Sequence, residues 1–183
     1  MARTGHVKKM ARVGGRSLAT IGAMHTRYQD GVTIRALRDG DTQTVAAVFA
    51  RLSDQSRRHR FGGPKPRLAD AELAYLSRVD ADHHVLVAYV DGDPRPAGIG
   101  RFVRIADGAA EVAFEVADEL QGRGIGTALA RVLAGDARAA GVVELHATVT
   151  GEPRPVRSLL ARSTRRLRAT WLGGECALVA ALD

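Results

Sequence analysis

Residues 118–136, DELQGRGIGTALARVLAGD, set glycines on alternate positions (Gly122, Gly124, Gly126) directly before a run of strong helix formers. Glycine loses more backbone entropy on ordering than any other residue and costs about 1 kcal/mol against alanine inside a helix. A helix that opens on such a run must recover that cost elsewhere. The preceding stretch AEVAFEV (110–116) alternates as a strand, so the order is strand, glycine loop, helix. The first N–H groups of a helix have no internal partner, and the macrodipole places about half a positive charge there. Anion binding follows from that placement, and the missing Cβ atoms let a pyrophosphate approach the backbone. The dinucleotide fingerprint G-x-G-x-x-G fails because Thr127 stands where glycine is required, and a P-loop fails because no Gly-Lys-Ser/Thr follows. What remains is Gln121-x-x-Gly124-x-Gly126. The amides of Gly122, Gly124, Ile125 and Gly126, the Thr127 hydroxyl and the Arg123 charge are the candidate anion ligands.

A chain of 183 residues, 45% of them hydrophobic, suffices for one domain with a sizeable core. Its single cysteine excludes a disulfide framework and a thiolate zinc cluster, which makes a reducing, cytoplasmic setting the expectation. No apolar run approaches the roughly 18 residues of a membrane span. The net charge of +7 is unevenly placed. Residues 1–30 hold six Arg/Lys against Asp30 alone, residues 154–168 hold six Arg and no acid, and residues 31–153 balance 15 basic with 17 acidic side chains. The body is therefore neutral. Residues 1–30 read as a basic, disordered tail ahead of a single domain over 31–183, and nucleic-acid binding rests only on the two end blocks.

From residue 31 the elements alternate. VTIRAL (32–37) reads as a strand, the segment from Asp41 and Thr42 to Ser53 as a capped helix, and 68–79 as a second helix. HHVLVAYV (83–90), AGIGRFVRI (97–105) and AAEVAFEV (109–116) form a predicted antiparallel meander with turns at DGDPRP and ADG. The glycine-led helix (about 123–140) stops at Gly141 and precedes a strand at 142–149, a short helix at 154–163 and closing strands RRLRATW and ECALVAAL. The fold class is α/β, a single domain with one central mixed, mostly antiparallel sheet flanked by helices. ECALVAAL is read as an edge strand that pairs across a dimer if one forms, so the chain is a monomer or a homodimer.

VADELQGRGIGTAL resembles the acyl-CoA-binding motif, Q/R-x-x-G-x-G/A, of the GNAT superfamily of N-acetyltransferases, and the order of elements agrees over about residues 31–182. FARLSDQSRRHRF (49–61) is similar to the segment after the first helix in catalytic domains of bacterial protein lysine acetyltransferases. The resemblance implies acetyl-CoA as co-substrate, no metal, and an amine acceptor such as a protein lysine. A small amine as acceptor, or a weakly active acyl-CoA-binding sensor, stays open. It also implies that the main chain at Val116 and Ala117 receives the thioester and that Gln121 to Thr127 hold the pyrophosphate.

The acceptor chemistry needs a base. A lysine amine has an ordinary pKa of about 10.4 and must lose a proton before attacking a thioester. In the 110–116 strand Val112, Phe114 and Val116 share one face, assigned to the core, while Glu111, Ala113 and Glu115 share the other. At roughly 3.3 Å per residue Glu111 and Glu115 lie about 13 Å apart, too far for paired-carboxylate catalysis at about 5–9.5 Å. A single base fits. The resemblance gives that role to Glu111 and leaves Glu115 as a solvated strand residue. Many superfamily members carry an asparagine contacting pantetheine and, seven residues on, a tyrosine that protonates the leaving thiolate. Pro153 and Leu160 stand at those places here.

The remaining residues read more plainly. DADHH (80–84) is a polar loop entering a strand, Cys176 a buried inert thiol, and Trp171 and Tyr89 core aromatics. The arginines of 154–168 belong to a solvated helix face or contact coenzyme A phosphates or an acidic partner. Arg57, Arg58 and Arg60 face the substrate cleft or solvent.

Overall fold

The computed structural model describes residues 27–29, 31–152 and 154–182; the rest of the tail, Met1–Thr26 and Asp30, lies outside them, as do Pro153 and Asp183. The elements are β1 (Arg27–Gln29), β2 (Val32–Ala36), α1 (Thr42–Ala50), α2 (Asp54–Phe61), α3 (Asp70–Leu76), β3 (His83–Val90), β4 (Gly98–Ala106) and β5 (Ala109–Val116). A 3-10 turn (Asp118–Leu120) leads to α4 (Ile125–Ala139), β6 (Glu144–Thr150), α5 (Arg154–Ala161), β7 (Arg166–Leu172) and β8 (Glu175–Ala181). The eight strands make one sheet in the order β1-β2-β3-β4-β5-β6-β8-β7, and pairing is antiparallel throughout except between β5 and β6.

Local chemistry explains the helix starts. Asp41 caps α1, its carboxylate accepting from the Thr44 N–H at 3.0 Å, and Ser53 caps α2 through the Ser56 N–H at 3.2 Å. A cap of this kind contributes about 1 kcal/mol. The strongly amphipathic α4 buries Ile125, Ala128, Leu129, Leu133, Ala134 and Ala137 on one face of the sheet, among Phe102, Ala110, Val112, Leu145 and Leu178. Gly100 permits that approach, since a Cβ there would stand 3.4 Å from the Leu129 Cβ. On the opposite face α1 and α3 cover Val85, Val87 and Ile99 with Val45, Val48 and Leu76. Burying each such aliphatic side chain stabilises the fold by about 1.5–3 kcal/mol.

The α2 helix differs, because it has no fully buried residue. Half-buried Phe61 packs edge-on against Phe49 at 5.8 Å, and the Arg57 guanidinium lies 4.4 Å from the Phe49 ring centre. Polar ties to the sheet, described below, hold the rest.

Two expectations change. ECALVAAL is interior, paired with β6 on one side and β7 on the other, so the sheet edge is β7. The chain crosses over because α5 sits between β6 and β7 in sequence and leaves room for the last strand to return alongside β6. Trp171, on that edge, is 58% exposed rather than a core aromatic. Tyr89 keeps its place as a core aromatic, half-buried against the cluster of Val85, Val87 and Ile99 with its hydroxyl accepting from Arg35 Nη2 at 2.8 Å.

Candidate active site

Pairing between β5 and β6 covers only Ala109–Glu111 against Glu144–His146. Beyond Glu111 the two strands part, while β5 stays paired to β4 as far as Val116. The Ala117 N–H donates to Ala97 O at 2.9 Å, and by ladder alternation the odd-numbered residues of β5 bond to β4. The backbone groups of Phe114 and Val116 therefore face the opening. Val116 O accepts from the Gln121 side chain at 3.2 Å, which leaves its N–H turned toward the gap.

The glycine loop closes one end of this opening. Gly122 and Gly124 have φ of 76° and 83°, a left-handed conformation that strains any residue with a Cβ. Nothing lies within 4 Å of where either Cβ would stand, so only the turn and approach from outside demand glycine. Gly124 is the N-cap of α4, with no side-chain cap and no acid in the first turn. Amides at the start of α4 are thus free for an anion, with exposed Arg123 and half-buried Thr127 beside them. Gly126 also permits close packing, since its Cβ would come within 3.3 Å of Leu159 on α5.

Glu111 is exposed and occupies the last paired position before the strands diverge, opposite His146. Paired residues project to one face, so Glu111 and half-buried His146 both emerge on the side of the sheet that carries α1–α3. His146 Nε2 lies 3.4 Å from Glu144 Oε2.

Glu115 shares that face yet is only 5% exposed, which overturns its reading as a solvated residue. Its Oε1 accepts from Arg60 Nε at 2.7 Å and from Arg101 Nη2 at 3.4 Å, and Arg101 Nη1 donates to Leu76 O at 2.7 Å. Burial pushes the Glu115 carboxyl up, and the charges of Arg101 and Arg60 outweigh it, holding the group below the usual carboxylate range. Glu115 is thus a structural anchor for α2. At its far end α2 meets β6: a Cβ on Gly62 would lie 3.9 Å from Thr150 Oγ1, and one on Gly151 would lie 4.0 Å from the His59 ring. The helix spans the gap from β5 to β6. Ser56 on α2 donates to Asp118 at 3.1 Å, and Arg51 bonds Glu119 at 2.7 Å and Pro96 O at 2.8 Å, which fixes the turn entering the glycine loop.

A parted pair of central strands beside a glycine-led helix is the geometry of acyl-CoA transferases, and a model of the acetyltransferase (GNAT) family matches residues 49–160. The chain belongs to the GNAT family. It is 32% identical over 134 residues to an acetyltransferase of Pseudomonas aeruginosa, covering 70% of this chain and 71% of that one. It is 31% identical over 149 residues to the acetyltransferase Pat of Mycolicibacterium smegmatis, covering 80% of this chain but 43% of the relative. The solved GNAT domain of S. lividans PAT superposes with a TM-score of 0.72 at 26% identity, covering 82% of this chain and 90% of that domain. The protein is accordingly an acyl-CoA-dependent N-acetyltransferase with acetyl-CoA as co-substrate, on a single-domain α/β fold.

Within this acetyltransferase the positions read from the sequence follow one another along the chain from the end of β5 into α4, with Val116 and Ala117 at the strand end, Gln121 to Gly124 in the exposed loop and Ile125 to Thr127 in the first turn of the helix. Ala117 is buried and Gln121 ties the loop back to β5 through Val116 O and Asp118 Oδ1. Leu160 is 1% exposed within the core, packing α5 onto the sheet, so its side chain offers no proton to a leaving group. Pro153 lies outside the described residues. Sequence reasoning missed the positioning roles of Arg51, Ser56 and Arg101, and left Arg60 between cleft and solvent. No helix among the described residues is long and apolar enough to cross a membrane, and Asp80 and His83 of the DADHH segment bond one another at 2.8 Å.

Proposed function

We propose that the enzyme transfers the acetyl group of acetyl-CoA directly to the ε-amine of lysine side chains in proteins, with Glu111 as general base. The observation that carries this reading is the end of β5–β6 pairing at Glu111, which puts a carboxylate at the apex of the opening toward which the Val116 N–H points. The pantetheine arm enters that gap and the pyrophosphate lies on the amides of 122–127, with Arg123 and Thr127 adding a charge and a hydroxyl. The acceptor arrives on the face that carries α2. A chain of waters along the opening passes the ammonium proton to the Glu111 carboxylate, and the free amine attacks the thioester carbon. The Val116 N–H donates to the carbonyl oxygen as negative charge gathers there. The carbon–sulfur bond then breaks and the coenzyme A thiolate leaves. With Leu160 buried, that thiolate takes its proton from solvent. Protein lysine is favoured over small amines by the likeness of residues 49–61 to protein lysine acetyltransferases, and the second half of that segment, α2, covers the acceptor side.

The test is acceptor-dependent thiol release from acetyl-CoA, offered lysine peptides, intact proteins and small amines in parallel, with Glu111→Gln as control. Loss of a base lowers turnover by about 10²–10⁴ while acetyl-CoA binding persists. Release with small amines alone shifts the acceptor away from protein lysine. An undiminished rate in the variant removes Glu111 from the chemistry.

A further inference from the structure

Beside the roofed opening lies a depression of about 390 Å³ lined by Gly151, Glu152, Arg154, Arg157 and Trp171. We propose that it binds an acidic segment of the acceptor protein next to the target lysine, so that the enzyme selects lysines with acidic neighbours. The inference rests on the protein-acetyltransferase reading and names its substrate class more closely.

The depression is separate from the surface assigned to the co-substrate. Leu159 turns toward α4 and meets Gly126, whereas Arg157, two residues earlier on the same helix, projects from the opposite side. Arg154 and Arg157 are one turn apart on that side, and both are exposed. Neither has a carboxylate within ion-pair distance among the described residues. The acid on the same rim, Glu152, accepts from the Arg154 N–H at 3.0 Å and offsets part of this positive charge. Two guanidinium groups against one carboxylate leave the recess net positive, which attracts further carboxylates, and arginine pairs them bidentately.

Trp171 gives the recess its second property. Exposed tryptophans are enriched where one surface meets another, because the ring supplies a large apolar area at little entropic cost. Its position matters as much. Gly151, on the rim, abuts His59 at the end of α2, where Arg58 and His59 are also exposed. A polypeptide with its lysine at Glu111 passes this rim on leaving the opening, so its flanking side chains reach the recess. Clustered arginines with an adjacent indole fit Asp and Glu on an extended segment.

Trp171 is the sole tryptophan of the chain, so its fluorescence reports on the recess directly. The experiment titrates the whole protein with peptides carrying one lysine flanked by glutamates, serines or arginines, follows Trp171 emission, and measures acetylation of the same peptides. The expected result is an emission change and a KM about tenfold lower for the glutamate-flanked peptide, fading between about 50 and 200 mM salt. Arg154→Glu with Arg157→Glu removes that preference and leaves the KM for acetyl-CoA unchanged. Acetylation of all three peptides alike, with Trp171 emission unmoved, overturns the inference and keeps the lysine reading. Salt-sensitive binding of the acidic peptide that the double variant abolishes, with no peptide acetylated, keeps the recess and discards lysine as acceptor. Neither binding nor acetylation discards both.

Discussion

Arg60 Nε on α2 stands 2.7 Å from Glu115 Oε1 on β5, and this ion pair, with one partner almost wholly buried, fastens a helix that has no fully buried residue of its own. The strand residue it grips directly precedes Val116, so the same contact sets the roof and the floor of the opening.

Removing Glu115 leaves Arg101, only 5% exposed, without its counter-charge. Breaking a buried pair by deleting one partner costs about 3–5 kcal/mol. Glu115→Gln is expected to lose that much in urea unfolding. Arg60→Met costs less, because its side chain keeps 21% exposure and Arg101 still neutralises Glu115. Equal losses in the two variants would show that Arg101 alone does not neutralise Glu115.

The same group makes stability pH-dependent in a defined direction. The folded Glu115 carboxyl is held below its ordinary 4.5, so the unfolded chain takes up its proton first as pH falls. Its contribution is complete above about pH 4.5 and is lost as pH drops through the folded value. Thermal midpoints measured from pH 7 down to 3 should fall more steeply for the parent than for Glu115→Gln. Parallel curves would show that other carboxylates govern acid unfolding.

Gly124 and Gly126 separate by function when each becomes alanine. At Gly124 a left-handed φ costs a non-glycine residue about 1–2 kcal/mol, and relaxing it reorients the first amides of α4. Acetyl-CoA affinity, measured by calorimetry, is expected to fall about tenfold, the equivalent of 1.4 kcal/mol. At Gly126 the added methyl presses on Leu159, so the melting point drops by a few degrees. A stability loss at Gly124→Ala with unaltered affinity would sink the anion-cradle role.

Cys176 is 0% exposed between β6 and β7. A thiol reagent should react with it only as fast as the sheet opens, and at full speed in denaturant. Stoichiometric labelling within seconds under native conditions would show that β8 opens freely.

Much of the fold was legible because its signals are local. The alternation of AEVAFEV, the glycines ahead of α4 and the stop at Gly141 each express a backbone requirement carried by neighbouring residues. Val112 is buried and Phe114 and Val116 pack against the α4 face, as the alternation predicts. Glu115 shows where that reading ends. Periodicity assigns its face but not what covers it, and its partners lie 14 and 55 residues away. The strand order at the C-terminus was hidden for a similar reason. Nothing within RRLRATW or ECALVAAL records which of the two joins β6, because that depends on how α5 routes the chain.

The gap between β5 and β6 is bordered by main chain. Every residue except proline brings the same N–H to position 116, so a donor held there is recognised by the divergence of two strands rather than by any particular amino acid. Such a binding surface survives substitution. In the proposed reaction the thioester end therefore stays fixed while side chains around the gap drift toward new acceptors; a domain of similar shape is found at 26% identity.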